Sequence, residues 1–454
     1  MKELVHVFQN NGMFLALDIE SGSVYTLDEV MYEILRRCPG TPEKKVLQEL
    51  SSRFSPEELS EAWEEIEELV NEGALYTPPA DDGFQKALLN RRPVVKALCL
   101  HIAHDCNLAC KYCFAGEGEY HGKRSLMSAE VGRAALDFLV KSSGARKNLE
   151  VDFFGGEPTL NFEVVKELVA YGRELEKTYP KHFRFTLTTN GVLLDEEIME
   201  FANREMDNVV LSIDGRKETH DRMRPNRGGG GSYDTVLPKF KKMAALREQD
   251  RYYVRGTFTR NNPDFAEDVL HLADLGFKRI SVEPVVAPES APYSLREEDV
   301  PEILKEYDRL AAEMKKRIGT EKEFLFFHFM IDLEGGPCAL KRLSGCGSGT
   351  DYLAVTPEGE LYPCHQFVGL DAFRMGDVWN GVEKPEIAEK IAEVNVFSKE
   401  ECASCFARYY CSGGCAANAW NCSGDIKGTY NIGCELEKKR VECALMLKAA
   451  EAGL

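Results

Sequence analysis

Cys106, Cys110 and Cys113 fall within eight residues, directly after the apolar run at 94–102. Three thiols so close together are a ligand set. Structural zinc takes four protein ligands, and catalytic zinc takes three with a water in the fourth place. His101 and His104 are near in sequence but sit within or at the end of a predicted strand, where a packed, hydrogen-bonded histidine is the commoner outcome. A cubane iron–sulfur cluster takes four thiolates, so three leave one iron free to bind something else.

The chain has fifteen cysteines. Cytosolic reductants keep thiols reduced, and a chain of this length does not need disulfides, so metal ligation is the better reading. Ten of the fifteen crowd into residues 338–443, and none lies between 114 and 337. Cys346 is followed by Gly359 and Cys364, and then come Cys402-x2-Cys405-x5-Cys411-x3-Cys415 and Cys434. A pair of zinc knuckles is the alternative to iron–sulfur sites here. Cys38, Cys99, Cys422 and Cys443 have no assigned role and are expected as small buried hydrophobes.

The elements that must position these groups follow from periodicity. Strand and helix patterns alternate from residue 93 to about 290: strands at 94–102, 149–154, 183–189, 208–213, 252–259 and 279–286, with helices between them. Such alternation implies a parallel sheet with helices outside, doubly wound or a barrel, and function at the C-terminal strand ends. Those ends carry chemistry: Gly155-Gly156-Glu157-Pro158 after the second strand, Thr189-Asn190 after the third, Ser212 and Asp214 after the fourth. Each alone reads as a turn. Arg224 and the glycine run at 228–231 are weaker signals, and the run reads as a flexible loop.

Residues 1–78 form a module of their own. Asn10-Asn11-Gly12 joins two strands, a third follows Glu20-Ser21-Gly22, and three helices come next, with Thr41 and Ser55 expected as N-caps before prolines. That pattern is winged-helix-like. The module holds 6 Lys and Arg against 16 Asp and Glu in residues 1–80, so a peptide or protein ligand is expected rather than a duplex. The whole chain carries a net charge of −19, which disfavours nucleic acid and anionic membranes as partners. No signal segment or long apolar span is evident, so a cytoplasmic protein is expected. Residues 79–92 read as a linker, 291–337 as a bridging region with a helix near 301–317, and 338–454 as a Cys-rich segment with little long-range periodicity.

The Cys-x3-Cys-x2-Cys spacing with Tyr112 before the last cysteine, placed after the first strand, resembles the signature of the radical S-adenosylmethionine (SAM) superfamily. That resemblance implies a partial (β/α)6 barrel of TIM type. It also implies a [4Fe-4S] cluster on Cys106, Cys110 and Cys113 whose open iron binds SAM. Gly155, Gly156, Glu157 and Pro158 resemble the family's glycine-rich motif at the methionyl amino group, where a carboxylate would answer an ammonium. Thr189, Asn190, Ser212, Asp214 and Arg224 would complete the SAM site. The C-terminal pattern resembles the SPASM extension of radical SAM peptide-modifying enzymes. Carried over, Cys402, Cys405, Cys411 and Cys434 would hold an outer auxiliary cluster and Cys346, Cys364 and Cys415 an inner one. Cys338 would either close the inner site or leave an open iron.

Along its length the chain resembles the maturases of Cys-rich (SCIFF) peptides, thioether-forming enzymes akin to those of sactipeptides. This implies a precursor peptide whose leader adds a strand near 23–27, three [4Fe-4S] clusters in all and a low-potential electron donor. A sulfatase-type maturase making formylglycine is the alternative enzyme. An iron–sulfur redox-sensing regulator is the alternative outside enzymes.

Overall fold

The structure, a computed structural model, describes residues 4–38, 40–79, 83, 86, 94–333 and 339–453. The linker expected at 79–92 and Cys338 lie almost wholly outside the described residues.

Three strands open the chain, β1 (Val5–Asn10), β2 (Met13–Asp18) and β3 (Val24–Leu27), paired antiparallel in that order. Asn11 and Gly12 both take positive φ (46° and 81°), which gives the two-residue hairpin its twist and fixes Asn10 opposite Met13. Helices Glu29–Leu35, Glu43–Leu50 and Pro56–Asn71 follow. Ser55 caps the third as expected: its hydroxyl accepts from Glu58 N while the Glu58 carboxylate accepts from Ser55 N. Thr41 does not cap the second. Pro42 takes the N-cap position and brings no side-chain bond.

The alternation of this small sheet divides its side chains between two cores. Val5 and Ala16 pack with the three helices, while Phe8, Leu15 and Leu17 join the large core of the rest of the chain. The N-terminal unit is thus built onto the molecule rather than tethered beside it.

The second sheet has eleven strands. Six run parallel and in chain order: β4 (Ala97–Ala103), β5 (Asn148–Gly155), β6 (His182–Thr189), β7 (Asn208–Ser212), β8 (Tyr252–Phe258) and β9 (Arg279–Pro284). Helices return between successive strands, among them Ala129–Ser142, capped by Ser128, and Phe162–Thr178. This is the α/β architecture expected, and the sheet is open. Its extension goes beyond the expected six strands. β10 (Leu325–Phe326) pairs parallel to β9, and β11 (Tyr352–Val355) pairs parallel to β4. β12 (Glu360–Tyr362), β13 (Gly376–Asp377) and β14 (Gly381–Val382) then continue antiparallel. The bridging region and the Cys-rich segment therefore contribute strands to the sheet that carries the first cysteine loop.

β8 alternates fully buried and half-buried residues along its length, and the C-terminal half of β6 does the same. One face, with Phe183, Phe185, Val254 and Phe258, is sealed in the core, and the other turns Thr188, Arg255 and Thr257 into a cavity. A period of two thus delivers polar side chains from several strands to one space. A short helix at Lys217–Met223 and a 21-residue helix at Asn431–Glu451 add to the elements read from the sequence. No helix of the described residues is long and apolar enough to cross a membrane.

Candidate active site

Cys106, Cys110 and Cys113 follow β4 and line a cavity of about 350 Å3 at the C-terminal strand ends. Tyr112, Gly155, Gly156, Glu157, Thr189, Asn190, Ser212 and Arg224 line the same cavity. Eleven of the thirteen residues expected at the SAM site are therefore brought together there. Pro158 and Asp214 are not on its surface: Pro158 starts a buried 3-10 turn, and Asp214 is fully buried behind the wall.

The cysteine loop is held from three sides. Gly155 and Gly156 bring strand end against loop, with Gly156 N donating to Ala103 O and Glu157 N to Asp105 O, both at 2.8 Å. A Cβ on Gly155 would sit 2.4 Å from Ala103 O, and one on Gly156 would sit 2.2 Å from Asp105 O. The close approach these glycines permit is backbone to backbone. On the other flank, Ala109 N donates to Pro225 O and Lys111 N to Met223 O, each at 2.9 Å, and Arg227 reaches Cys106 O and Asp105. The segment before the glycine run is a strap on the cysteine loop. The run itself is folded over Asn226, whose side-chain oxygen accepts from Gly228 N and Gly230 N.

Glu157 is 1% exposed. One carboxylate oxygen accepts from Thr159 N, Thr159 Oγ1 and Thr189 Oγ1, the other from Asn190 N at 2.7 Å. Burial raises its pKa against these donors. Its charge serves first to tie the ends of β5 and β6 together. Asn190 passes that order on, donating from Nδ2 to Asn107 Oδ1 at 2.7 Å and lying 3.5 Å from Cys106 Sγ.

Behind Cys110 and Cys113 lies a second buried network. The Tyr112 hydroxyl donates to the Asp214 carboxylate (2.7 and 2.8 Å) and accepts from Arg224 Nη1 at 2.9 Å. Thr257 N completes the Asp214 shell at 3.2 Å. Burial lifts the Asp214 pKa to about 6. Across the cavity, Arg255 grips Glu283 through two bonds of 2.9 and 2.8 Å. Burial would raise Glu283, but Arg255 outweighs it and holds the carboxylate at about 2. His101 and His104 bond to each other at 3.0 Å beneath Tyr120 and do not reach the cavity.

Burial pushes the Cys106 thiol up to about 12 and Cys110 to about 11, so thiolates here need a bound cation. No three His, Cys, Asp or Glu side chains among the described residues are drawn together around a single metal ion. The three thiols border open space instead, with Arg224 Nε buried beside it and without a partner among the described residues. A space lined by three thiols and an unspent donor fits a cluster carrying a polar ligand better than an ion.

Cys346, Cys364 and Cys415 line a separate cavity of about 110 Å3. Cys402, Cys405, Cys411 and Cys434 are near neighbours: after burial and Glu437, the other three thiols raise the Cys411 pKa, which reaches about 12. Cys99 and Cys443 are buried and Cys38 half-buried, whereas Cys422 is exposed, against the expectation of a small core residue. The first cavity and the second thiol set adjoin. Phe114, next to Cys113, packs 5.5 Å from the ring of His365, next to Cys364, and both rings line the larger cavity. Sequence reasoning missed Arg255, Glu283, His328, His365, Asn418 and Arg440 on that wall.

Residues 100–254 match the model of the Radical SAM superfamily. Over those residues the chain carries a radical SAM domain. It is 27% identical to the cysteine-type anaerobic sulfatase-maturating enzyme of Clostridium perfringens over 350 residues, 71% of this chain and 89% of that one. It is 22% identical over 273 residues to the radical SAM cyclopropyl synthase TigE of Paramaledivibacter caminithermalis, covering 54% and 55%. Among solved structures, anSMEcpe with bound AdoMet and Kp18Cys peptide superposes with a TM-score of 0.65 at 22% identity, over 79% of this chain and 99% of that one. Streptococcus suis SuiB bound to precursor peptide SuiA gives 0.53 at 15%, over 94% and 98%. At these identities the structures establish the fold. The radical SAM family uses SAM and a [4Fe-4S] cluster, and peptide-modifying maturases are among the enzymes that share this architecture.

Proposed function

We propose that this enzyme matures a ribosomally made, Cys-rich precursor peptide of SCIFF type by joining a cysteine sulfur to a carbon of an acceptor residue. The observation that carries the reading is that the cavity lined by Cys106, Cys110 and Cys113 adjoins, through His365 next to Cys364, the separate cavity lined by Cys346, Cys364 and Cys415. Cys106, Cys110 and Cys113 form one wall, and the ring of His365, beside Cys364, lies across from Phe114. A substrate residue in that space would have the first set on one wall and His365, the neighbour of Cys364, on another. Cys106, Cys110 and Cys113 would hold a [4Fe-4S] cluster with SAM, which would supply hydrogen-atom abstraction, and the two C-terminal, SPASM-type thiol sets would hold clusters able to accept an electron. The protein's own part is positional. The Glu157, Thr189 and Asn190 lattice fixes the cysteine loop, and Tyr112, Asp214 and Arg224 back it. Overall the peptide loses one hydrogen from carbon and one from sulfur as the C–S bond forms.

The leader would add a strand to β3, whose outer edge has no paired strand among the described residues. A second reading, oxidation of cysteine to formylglycine, is favoured by the likeness to the sulfatase-maturating enzyme, but it gives the N-terminal sheet no task. Anaerobic incubation of reconstituted enzyme, SAM, reductant and a Cys-rich candidate peptide, followed by tandem mass spectrometry, tests the choice. A crosslinked product lacks two hydrogens, keeps its sulfur and resists thiol alkylation, whereas formylglycine has lost the sulfur. A redox regulator would yield no 5'-deoxyadenosine.

A further inference from the structure

The superfamily match ends at residue 254, and the cavity wall continues beyond it. Nine buried side-chain nitrogen and oxygen atoms have no hydrogen-bond partner among the described residues. Four of the nine belong to residues on this one cavity: Arg224 Nε, His328 Nε2, Asn418 Oδ1 and Arg440 Nη2. Arg224 stands on the cysteine-loop side. The other three come from separate segments, the 3-10 turn Phe327–Phe329 and the helices Ala416–Ser423 and Asn431–Glu451. Buried polar atoms are almost always bonded, so three unspent ones on residues that line one cavity from different segments mark where a ligand's polar atoms belong once the side chains turn to it.

The charge pattern selects the ligand. Arg440 is 9% exposed and anchored, with Nε donating to the Tyr307 hydroxyl at 2.9 Å and Nη1 to Glu437 at 3.2 Å. Arg255 is matched by Glu283, and Arg224 stands 3.8 Å from Asp214. Each arginine on the wall already has its carboxylate, and burial keeps His328 uncharged. An anionic ligand would bring charge that nothing on the wall is left to balance. What remains unspent is a donor on Arg440, an acceptor on Asn418 and a histidine nitrogen able to serve either way. A peptide bond offers the complement, one carbonyl and one N–H.

We propose that Arg440, His328 and Asn418 form a subsite for a main-chain amide of the substrate peptide, the carbonyl on Arg440 Nη2 and the N–H on Asn418 Oδ1. This deepens the peptide-maturase reading and rests on it. The helix bearing Asn418 begins directly after Cys415, so the amide is gripped beside the inner thiol set and the residue next to it is presented to the cysteine loop.

The test uses N-acetyl-L-cysteine N-methylamide and N-acetyl-L-cysteine as probes of the reconstituted, SAM-loaded enzyme, with affinities from ligand-observed NMR. The methylamide should bind more tightly than the free acid. Asn418→Leu and, separately, His328→Phe should each weaken it about tenfold, the worth of one buried hydrogen bond. Asn418 is only partly buried, so its variant should fold, and His328→Phe provides a second, independent measurement. Unchanged affinity in both variants, no binding of the methylamide, or tighter binding of the acid would overturn the subsite. In the same samples, wild-type enzyme that formed no 5'-deoxyadenosine from SAM would sink the maturase reading instead.

Discussion

Replacing Gly156 by alanine tests whether backbone contact sets the cysteine loop. The added Cβ would lie 2.2 Å from Asp105 O, 2.6 Å from Asp105 C and 3.1 Å from the Gly118 Cα. Carbon and carbonyl oxygen approach to about 3.3 Å, so the two backbones must part by about 1 Å. The neighbours are main chain on both sides and cannot rotate away, and the bonds Gly156 N to Ala103 O and Glu157 N to Asp105 O oppose the movement. Overpacking of this kind costs about 1–3 kcal/mol. The functional loss should be larger, because displacing a reacting group by about 1 Å costs about a hundredfold in rate. Thermal unfolding, iron content and 5'-deoxyadenosine yield, measured anaerobically on one preparation, give the three readouts. Gly122→Ala is the control: its Cβ would meet only Glu119 O and Tyr120 O, at 3.5 and 4.0 Å, so all three should hold at wild-type values. A Gly156→Ala enzyme with wild-type iron and wild-type SAM cleavage would refute the idea that this contact positions the loop.

Glu283 supplies a pH test. Its folded pKa, about 2 beside Arg255, lies below the ordinary glutamate value, so its stabilisation is present above about pH 4.5 and is lost as pH falls toward 2. One third of the side chain remains exposed to the cavity, which discounts the contribution to about 1–2 kcal/mol. Glu283→Gln should flatten acid unfolding over that window, and an unchanged midpoint would remove the pair from the stability account. Glu20→Gln leaves Arg408 buried without its carboxylate partner, with side-chain exposures of 7% and 3% in the intact pair. About 3 kcal/mol should be lost, read as faster limited proteolysis of the N-terminal unit, and wild-type resistance would count against it. Thr26→Pro places a ring in the exposed edge strand β3. Leader-peptide affinity measured by fluorescence anisotropy should fall more than tenfold if that edge takes the leader strand, and an unchanged affinity would move the leader elsewhere.

Much of this site was legible because its signals are local. Cys106, Cys110 and Cys113 sit within eight residues, and glycine, Glu157, Asn190 and Ser212 stand at strand ends that the alternation locates. The fully buried run of β4 and the Ser55 capping box are equally local. The opposite wall was not legible. His328, Asn418 and Arg440 are single polar residues on separate elements, and nothing in their own neighbourhoods distinguishes them from ordinary surface positions. The helix Asn431–Glu451 escaped notice for a related reason: ten of its residues are buried, including Arg440, so it shows no apolar stripe against a polar face. Arg227 was hidden by the glycines that follow it, which suggested looseness where the chain makes a strap. Asp214 was expected on the cavity because it ends a strand, but its side chain turns inward to Tyr112.

The division of the N-terminal sheet between two cores bears on how peptide capture relates to chemistry. A tethered recognition module could be removed without consequence for the catalytic domain. This one cannot, since Phe8, Leu15 and Leu17 belong to the core that also holds β4 and the Asn431–Glu451 helix. Its polar anchors reach the cysteine-rich segment directly: His6 stacks 3.5 Å from Phe406, and Glu20 accepts from Arg408 and from the Tyr409 hydroxyl. All three partners lie between Cys405 and Cys411, within the loop of the outer thiol set. β1 is thereby fixed against the body, and β3 is the strand left with an open edge. A peptide strand added there lies one sheet away from the outer thiols, and the same turn that precedes β3 carries Glu20. Order imposed at that edge would reach the loop between Cys405 and Cys411 through Glu20, so under the proposed function leader binding and the outer thiol set would be mechanically linked.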